Sequence, residues 1–351
     1  MTTSELIHLV LKNEKYSDLV VAQKLNKQAC FRPQRNLPSI MYSRVAQLFC
    51  LILCVMYNFL TFVKSLFSKR LDSSENEIFI FSSDKSKIIF DNLEIGDGLR
   101  IDMGKASFLH YVNMTSKVKS IVYSIISILK INNLSDVYYY HDAYKLASFF
   151  YFLQSMEAEK VHFTNHYDRW GVLIDKSRIP VKIQYQHGVV SEDFTPPVKL
   201  EQISHVYCYD ERSVEIWKKN INGNDKSAYS LFKIKIFFKE VEGGGSVLVI
   251  SNPLYFEDEL SLLHKLNSKL PSVPIYYKTH PIYKYDEEKI PNFIIRVAKK
   301  EYPDCSVSIT RGSTLGKEYE ANGKSVIWWE SDAKVDDAFL EIKELLISKG
   351  F

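Results

Sequence analysis

The chain has 351 residues with 45 basic and 42 acidic side chains, a formal net charge of +3. That balance, with no dense basic block, argues against a nucleic-acid partner. Apolar and charged fractions of 46% and 25% are those of an ordinary globular protein, and the length suits two medium domains. Five cysteines (Cys30, Cys50, Cys54, Cys208, Cys305) contain no CxxC, which predicts neither a disulfide framework nor a zinc site. Cys50 and Cys54 stand at helical i,i+4 spacing in an apolar run and read as packing residues. The 22 Tyr and 21 Phe read mainly as core and rim contacts.

In chain order, the pattern predicts helices over 4–11 and 18–27, broken at Arg32-Pro33 and Leu37-Pro38. The polar start predicts no secretory signal. Residues 45–63 then run without a charge, long enough to cross a membrane. Arg32, Arg35 and Arg44 precede the run and Lys64, Lys69 and Arg70 follow it, so the positive-inside rule gives no orientation. A spanning helix would also put a basic N-terminus outside if the downstream domain lies in the cytosol. A helix lying on the membrane surface is therefore favoured, ahead of a buried helix and of a true span.

Beyond it, short apolar runs alternate with helical patterns. Strands are predicted at 78–81, 137–140, 161–163, 181–185 and 205–209, with helices at 118–129, 143–156 and 211–219. Alternation of this kind implies βαβ units and a parallel sheet. The segment 240–245, ending in three glycines, reads as the connection to a second Rossmann-like unit. There the predicted order is strand 247–250, helix 257–270, strands 274–278, 293–296 and 307–309, a helix from 313, strand 325–329 and helix 336–348. The expected organisation is an N-terminal helical segment (1–72) and two Rossmann-like domains (73–239 and 240–351).

Two stretches carry the chemistry. Lys278-Thr279-His280-Pro281 and Thr310-Arg311-Gly312-Ser313-Thr314-Leu315-Gly316 each follow a predicted strand, and the second opens a helix. A small-residue turn at a helix N-terminus offers N–H groups and the positive end of a dipole to phosphate. Ordinary capping needs the same residues. In open α/β sheets, ligands bind outside the carboxyl ends of the strands, where His280 and Ser313 are expected. Glu318, lying in that helix, is a candidate for ribose hydroxyls. The chain has no Asp-x-Asp triplet to hold a metal against a sugar diphosphate, so a metal-independent mechanism without a cofactor is expected.

The pattern resembles the bacterial GT-B glycosyltransferases of capsule, O-antigen and lipopolysaccharide assembly, especially those using CMP-activated acidic sugars of the Kdo or sialic-acid type. His280-Pro281 matches that group's nucleotide-contacting His-Pro, and Ser313-Thr314 its phosphate-holding turn. The match covers mainly 246–329. The resemblance implies a GT-B-like α/β fold of two Rossmann-like domains facing a cleft. It implies donor contacts from Lys278, His280, Pro281, Arg311, Gly312, Ser313, Thr314 and Glu318. The expected partners are a nucleotide-sugar donor and a surface glycan or lipid-linked acceptor, handled in the cytoplasm at the inner-membrane surface. Polyol-phosphate transferases using CDP-glycerol or CDP-ribitol carry a similar pair of motifs, and a catalytically silent binding protein on the same scaffold is a further alternative.

The N-terminal half must supply the acceptor site and any base. Tyr185-Gln186-His187-Gly188 follows a strand, and Gly188 would let backbone approach a ligand closely. Asn165-His166-Tyr167-Asp168-Arg169-Trp170 also follows a strand, with Asp168 or Asn165 equally suited to cap a helix. His187, Asp142 and Asp168 are the acid/base candidates. His166, Arg169, Glu192 and Asp193 are candidates on the acceptor side.

Overall fold

The computed structural model describes residues 2–24, 43–71, 74–81, 83–93, 97–241, 245–280, 285, 287–329 and 333–351. They form two compact units, Met1–Leu231 and Phe232–Phe351.

The first unit carries six parallel strands: β1 (Glu77–Phe81), β2 (Leu99–Asp102), β3 (Lys160–Phe163), β4 (Val181–Tyr185), β5 (His205–Cys208) and β6 (Ala228–Leu231). Their order is β2-β1-β3-β4-β5-β6, so the winding reverses between β1 and β3. The helices are α1 (Thr3–Lys24), α2 (Arg44–Leu66), α3 (Asp84–Asn92), α4 (Met114–Leu129), α5 (Ala143–Ser155), α6 (Arg169–Asp175) and α7 (Glu211–Ile216). Ile78, Ile80, Val161 and Phe163 pack in one core with Leu146, Phe149 and Phe152 of α5. Such central strands read as unbroken apolar runs because helices cover both faces.

Three sequence expectations change here. Residues 137–140, expected as a strand, belong to a 3-10 stretch, Leu134–Asp142. Its tyrosines turn toward α1, where Tyr139 donates to Asp18 at 2.9 Å and the Tyr140 hydroxyl meets His8 Nδ1 at 2.5 Å. Tertiary partners for the hydroxyls outweigh the β propensity of the run. The two expected N-terminal helices are one, α1. Its polar middle is held by Asn13 donating to the Tyr167 and Val198 carbonyls and by the Lys15–Asp136 ion pair. Strands β2 and β6 and helix α3 carry too few apolar residues to have stood out.

The second unit holds β7 (Val247–Ile250), β8 (Ile275–Lys278), β9 (Ile295–Arg296), β10 (Val307–Thr310) and β11 (Val326–Trp328), with α8 (Phe256–Lys269), α9 (Thr314–Ala321) and α10 (Val335–Ser348). The parallel order β11-β10-β7-β8-β9 reverses its winding between β7 and β10. Alternate residues of β7 serve opposite faces, as the two-residue period requires. Val247 and Val249 pack with Leu262, Leu263 and Leu266 of α8 and Ile342 of α10. Leu248 and Ile250 pack with Ile236, Cys305 and Tyr319. Residues ahead of the glycine run therefore belong to this unit: Lys239 N–H bonds the Tyr302 carbonyl and Asp304 N–H the Lys239 carbonyl, both at 2.8 Å. Residues 242–244 of the expected connection lie outside the described residues.

Candidate functional site

Each sheet offers a carboxyl edge with polar residues at its reversal point. In the second unit the loops after β7 and β10 are tied together. Asn252 Nδ2 donates to the Arg311 carbonyl at 2.6 Å, and Thr310 Oγ1 to the Ile250 carbonyl at 2.9 Å. Gly312 takes φ +75°, the left-handed turn that glycine accepts without strain, and swings the chain into α9. Ser313 is the N-cap. Its own N–H reaches Thr310 Oγ1 at 3.3 Å and its Oγ receives the Leu315 N–H at 3.4 Å. Both bonds are long, so they are easily exchanged for a ligand oxygen. Thr314 is the first residue of α9 and is half-buried. His280, at the end of β8, is half-buried, with its backbone N–H on the Tyr285 hydroxyl at 2.9 Å. Pro281 lies outside the described residues.

Two expected donor ligands are otherwise engaged. Lys278 is buried, and its ammonium donates to the carbonyls of Ala298, Lys299 and Glu301 at 2.8, 3.1 and 2.8 Å. All three N–H bonds are spent on backbone, and burial lowers its pKa to about 8. Arg311 is buried too. It pairs with Asp258 at 2.6 Å, donates to the Ala333 carbonyl at 2.8 Å and stacks 3.7 Å from the Trp329 ring centroid. Both side chains hold loops in place, which corrects the expectation that they face a phosphate. Glu318 is buried in α9.

Sequence reasoning missed Glu259 on α8. Its carboxylate receives Ser251 Oγ at 2.5 Å, Asn252 N–H at 2.7 Å and the Tyr277 hydroxyl at 2.8 Å. Burial raises its pKa to about 7 against those bonds. Glu259 thus organises the loop at the reversal point. Nothing in its helical sequence context signals this, because Ser251 and Tyr277 come from two different strands.

In the first unit a cavity of about 410 Å³ opens at the ends of β3 and β4. It is lined by Glu14, Ser17 and Asp18 of α1 and by His166, Tyr167, Asp168, Arg169, His187, Gly188 and Val189. His166 Nε2 accepts the His187 backbone N–H at 2.9 Å, which puts the His166 proton on Nδ1. Burial, then the neighbouring His187, drives its pKa well down. His187 is half-buried, and its Nδ1–H donates to the Thr164 carbonyl, leaving Nε2 with its lone pair. Burial and then Lys85 lower its pKa, partly opposed by Asp168 and the Thr164 carbonyl. The arrangement supplies a neutral, oriented imidazole, the requirement for a general base.

Gly188 serves a neighbour within the protein: a Cβ there would stand 3.3 Å from His166 Cε1. Gln186 fixes the same turn, donating to the Gly188 carbonyl at 3.0 Å and accepting Tyr209 N–H at 2.9 Å. Asp168 caps α6 through the Trp170 and Gly171 N–H groups, both at 2.9 Å, and receives Asn165 at 2.8 Å. Arg169, buried, joins Glu14 at 2.5 Å and Asp142 at 3.7 Å. Burial would raise the Asp142 pKa, but His141 and Lys145, each 3.0 Å away, hold it far below the carboxylate range. It stays ionised as a partner of cations, which suits an anchor better than a base.

The structure therefore brings together His166, His187, Asp168 and Arg169, with Asp142 behind Arg169. Glu192 and Asp193 are exposed and do not line this cavity; Glu192 pairs with Arg212 at 2.7 Å. Glu14 and Asp18 reach the site from a helix some 150 residues earlier in sequence, a contact that no local motif signals.

No protein-family model and no curated protein matches the chain. Among solved structures it is similar to the wall teichoic acid polymerase TagF soaked with CDPG, at 11% identity and a TM-score of 0.39, over 82% of this chain and 79% of that one. It is also similar to the GtfA/B complex, at 10% identity and a TM-score of 0.38, over 59% of this chain and 54% of that one. The second likeness thus spans about half of its neighbour's length. At these scores no residue-level correspondence follows. The chain is a protein of two Rossmann-like α/β units.

Proposed function

We propose that the chain is a metal-independent glycosyltransferase of the GT-B type. It moves a sugar from a nucleotide-activated donor, a CMP-linked acidic sugar favoured, to a bacterial surface glycan or lipid-linked acceptor. The work is done in the cytoplasm at the inner-membrane surface. One observation carries the donor half of this reading: the winding of the second sheet reverses between β7 and β10, with the Gly312-Ser313-Thr314 turn following β10 and His280 following β8, the other neighbour of β7. Reversal points are where open α/β sheets take ligands, and the start of α9 suits a phosphate. Ser313 and Thr314 hydroxyls and N–H groups, with His280, would meet the charge left on the nucleotide.

The cavity of the first unit takes the acceptor. His187 Nε2 accepts the proton of the acceptor hydroxyl, whose oxygen bonds to the anomeric carbon. The bond from that carbon to the donor phosphate breaks, and its electron pair leaves with the nucleotide. Arg169 and Glu14 shape the cavity wall without taking part in proton transfer.

A thermal-shift panel of CMP, CDP, UDP, GDP and ADP, without metal and then with magnesium, tests the reading. CMP is expected to stabilise most, without metal, and His280→Ala to remove the shift. A preference for CDP would make the chain a polyol-phosphate transferase, and one for UDP or GDP a hexose transferase. No shift with any nucleotide would sink the donor site.

A further inference from the structure

We propose that α2 and α4 form a docking face for an anionic lipid surface, with α2 lying in the headgroup plane instead of crossing the bilayer. This deepens the membrane-side placement in the reading above, and it rests on no residue of the donor or acceptor sites.

Helix α2 is inside out, and α4 is so in part. A helix covering a soluble core buries its apolar stripe and shows water its polar one. The buried side chains of α2 are Gln47, Cys54, Asn58 and Ser65, spaced to form one stripe. On the opposite face Phe49, Ile52, Phe59 and Leu60 are 60, 58, 51 and 61% exposed. The neighbouring α4 shares part of this pattern: Lys117, Ser120, Ser124 and Ser127 are buried beside Ile121 and Ile128, while Val118 and Val122 are exposed. Exposed apolar residues on two adjacent helices mark an interaction surface.

Charge selects the partner. The chain as a whole balances 45 basic against 42 acidic residues, yet residues 19–71 and 103–130 hold no Asp or Glu. Arg44, Lys64, Lys69 and Lys119 are exposed around the apolar residues. An apolar face whose own helices carry cations and no acidic residue fits an anionic lipid leaflet, where each nearby Lys or Arg adds attraction.

The polar stripe decides between lying and spanning. Asn58 donates to the Tyr140 carbonyl at 3.1 Å and accepts the Tyr144 N–H at 2.7 Å. Ser65 Oγ meets the Tyr144 hydroxyl at 2.6 Å, and Lys117 donates to the Ser65 carbonyl at 2.6 Å. A span would pull these groups from their partners into hydrocarbon, where nothing replaces them. Lying in the plane keeps every bond and still buries the apolar face.

The test is flotation of the full chain with vesicles of phosphatidylcholine alone and of phosphatidylcholine with phosphatidylglycerol, without nucleotide or acceptor, so the outcome is independent of the transferase reading. Binding to the anionic vesicles is expected, to be weakened by salt and released by alkaline carbonate. Phe49→Glu with Ile52→Glu should weaken binding by about tenfold or more, with the far-UV spectrum and melting temperature retained. Lys64→Glu with Lys119→Glu should erase the preference for anionic vesicles. Equal binding by the Phe49/Ile52 variant overturns the proposal, and so does resistance to carbonate, which marks a span. Failure to bind either vesicle, with self-association abolished by the same variant, would assign the face to a second copy of this chain instead.

Discussion

The two carboxyl edges use the same residue types in opposite ways. At the edge of the second unit, the charged side chains that look most like ligands are consumed by the scaffold: Lys278 by three carbonyls and Arg311 by Asp258 and Ala333. The other candidates there are a helix start, the Ser313 and Thr314 hydroxyls and His280. At the edge of the first unit, charged groups also brace one another, but the brace leaves an oriented imidazole on the cavity, His187. A motif therefore locates an edge, while the bonds behind each side chain decide which groups can act.

The largest effect should come from that imidazole. His187→Gln is expected to lower turnover by about 10²–10⁴-fold while the chain still melts cooperatively. Near-normal kcat with the donor found by the nucleotide panel would move the base elsewhere and erase the contrast between the edges.

Next is the brace behind it. Arg169→Met leaves the Glu14 carboxylate without its cation in a site where burial already raises the Glu14 pKa against the pull of Arg169. Breaking a buried pair from one side costs about 3–5 kcal/mol. Urea unfolding should show a loss of that size, with part recovered in Arg169→Met, Glu14→Gln. A loss below about 1 kcal/mol would mean that water already relieves the pair.

The units should also respond oppositely to pH. Burial lowers the pKa of His8, His162, His166, His187 and His205, all in the first unit. Their unfolded forms bind protons more readily, so the stability they contribute is full above about pH 6.5 and falls as pH drops through the folded values. Glu14 opposes this trend, a single group against five. In the second unit Glu259 has a folded pKa raised to about 7. Its contribution is full below the unfolded value and is lost as pH rises through 7, roughly 3 kcal/mol at most. Hydrogen exchange resolved by unit between about pH 5 and 7 should show the first unit gaining protection and the second losing it. Glu259→Gln should flatten only the second slope.

The alternation of strands and helices was legible in the sequence because central parallel strands are continuous apolar runs, as β7 and Ile78–Phe81 of β1 are. Residues 137–140 were misread because aromatic β propensity cannot announce that α1 supplies hydroxyl partners. The chemistry divides in the same way. His187 and His166 stood out because each follows a strand among polar neighbours. Glu259 and Glu14 did not, since their partners come from other strands and helices. Lys278 and Arg311 were legible as positions but not as roles, because a lysine's partners, here three carbonyls of a distant loop, leave no local trace.

The smallest expected effect separates capping from binding at the start of α9. Ser313→Ala removes an N-cap whose bond to Leu315 N–H is 3.4 Å long, so the stability cost should be about 1 kcal/mol or less. The same hydroxyl, facing a phosphate, makes a shorter charge-assisted bond worth more than the cap it gives up. The nucleotide-induced melting shift should therefore fall by more than the melting temperature of the unliganded protein. Calorimetric titration of Ser313→Ala and Ser313→Thr decides it. Weaker binding in the alanine variant with recovery in the threonine one assigns the hydroxyl to the ligand. Equal affinity in all three would leave Ser313 as a cap, and the second edge with backbone and His280 alone to hold a nucleotide.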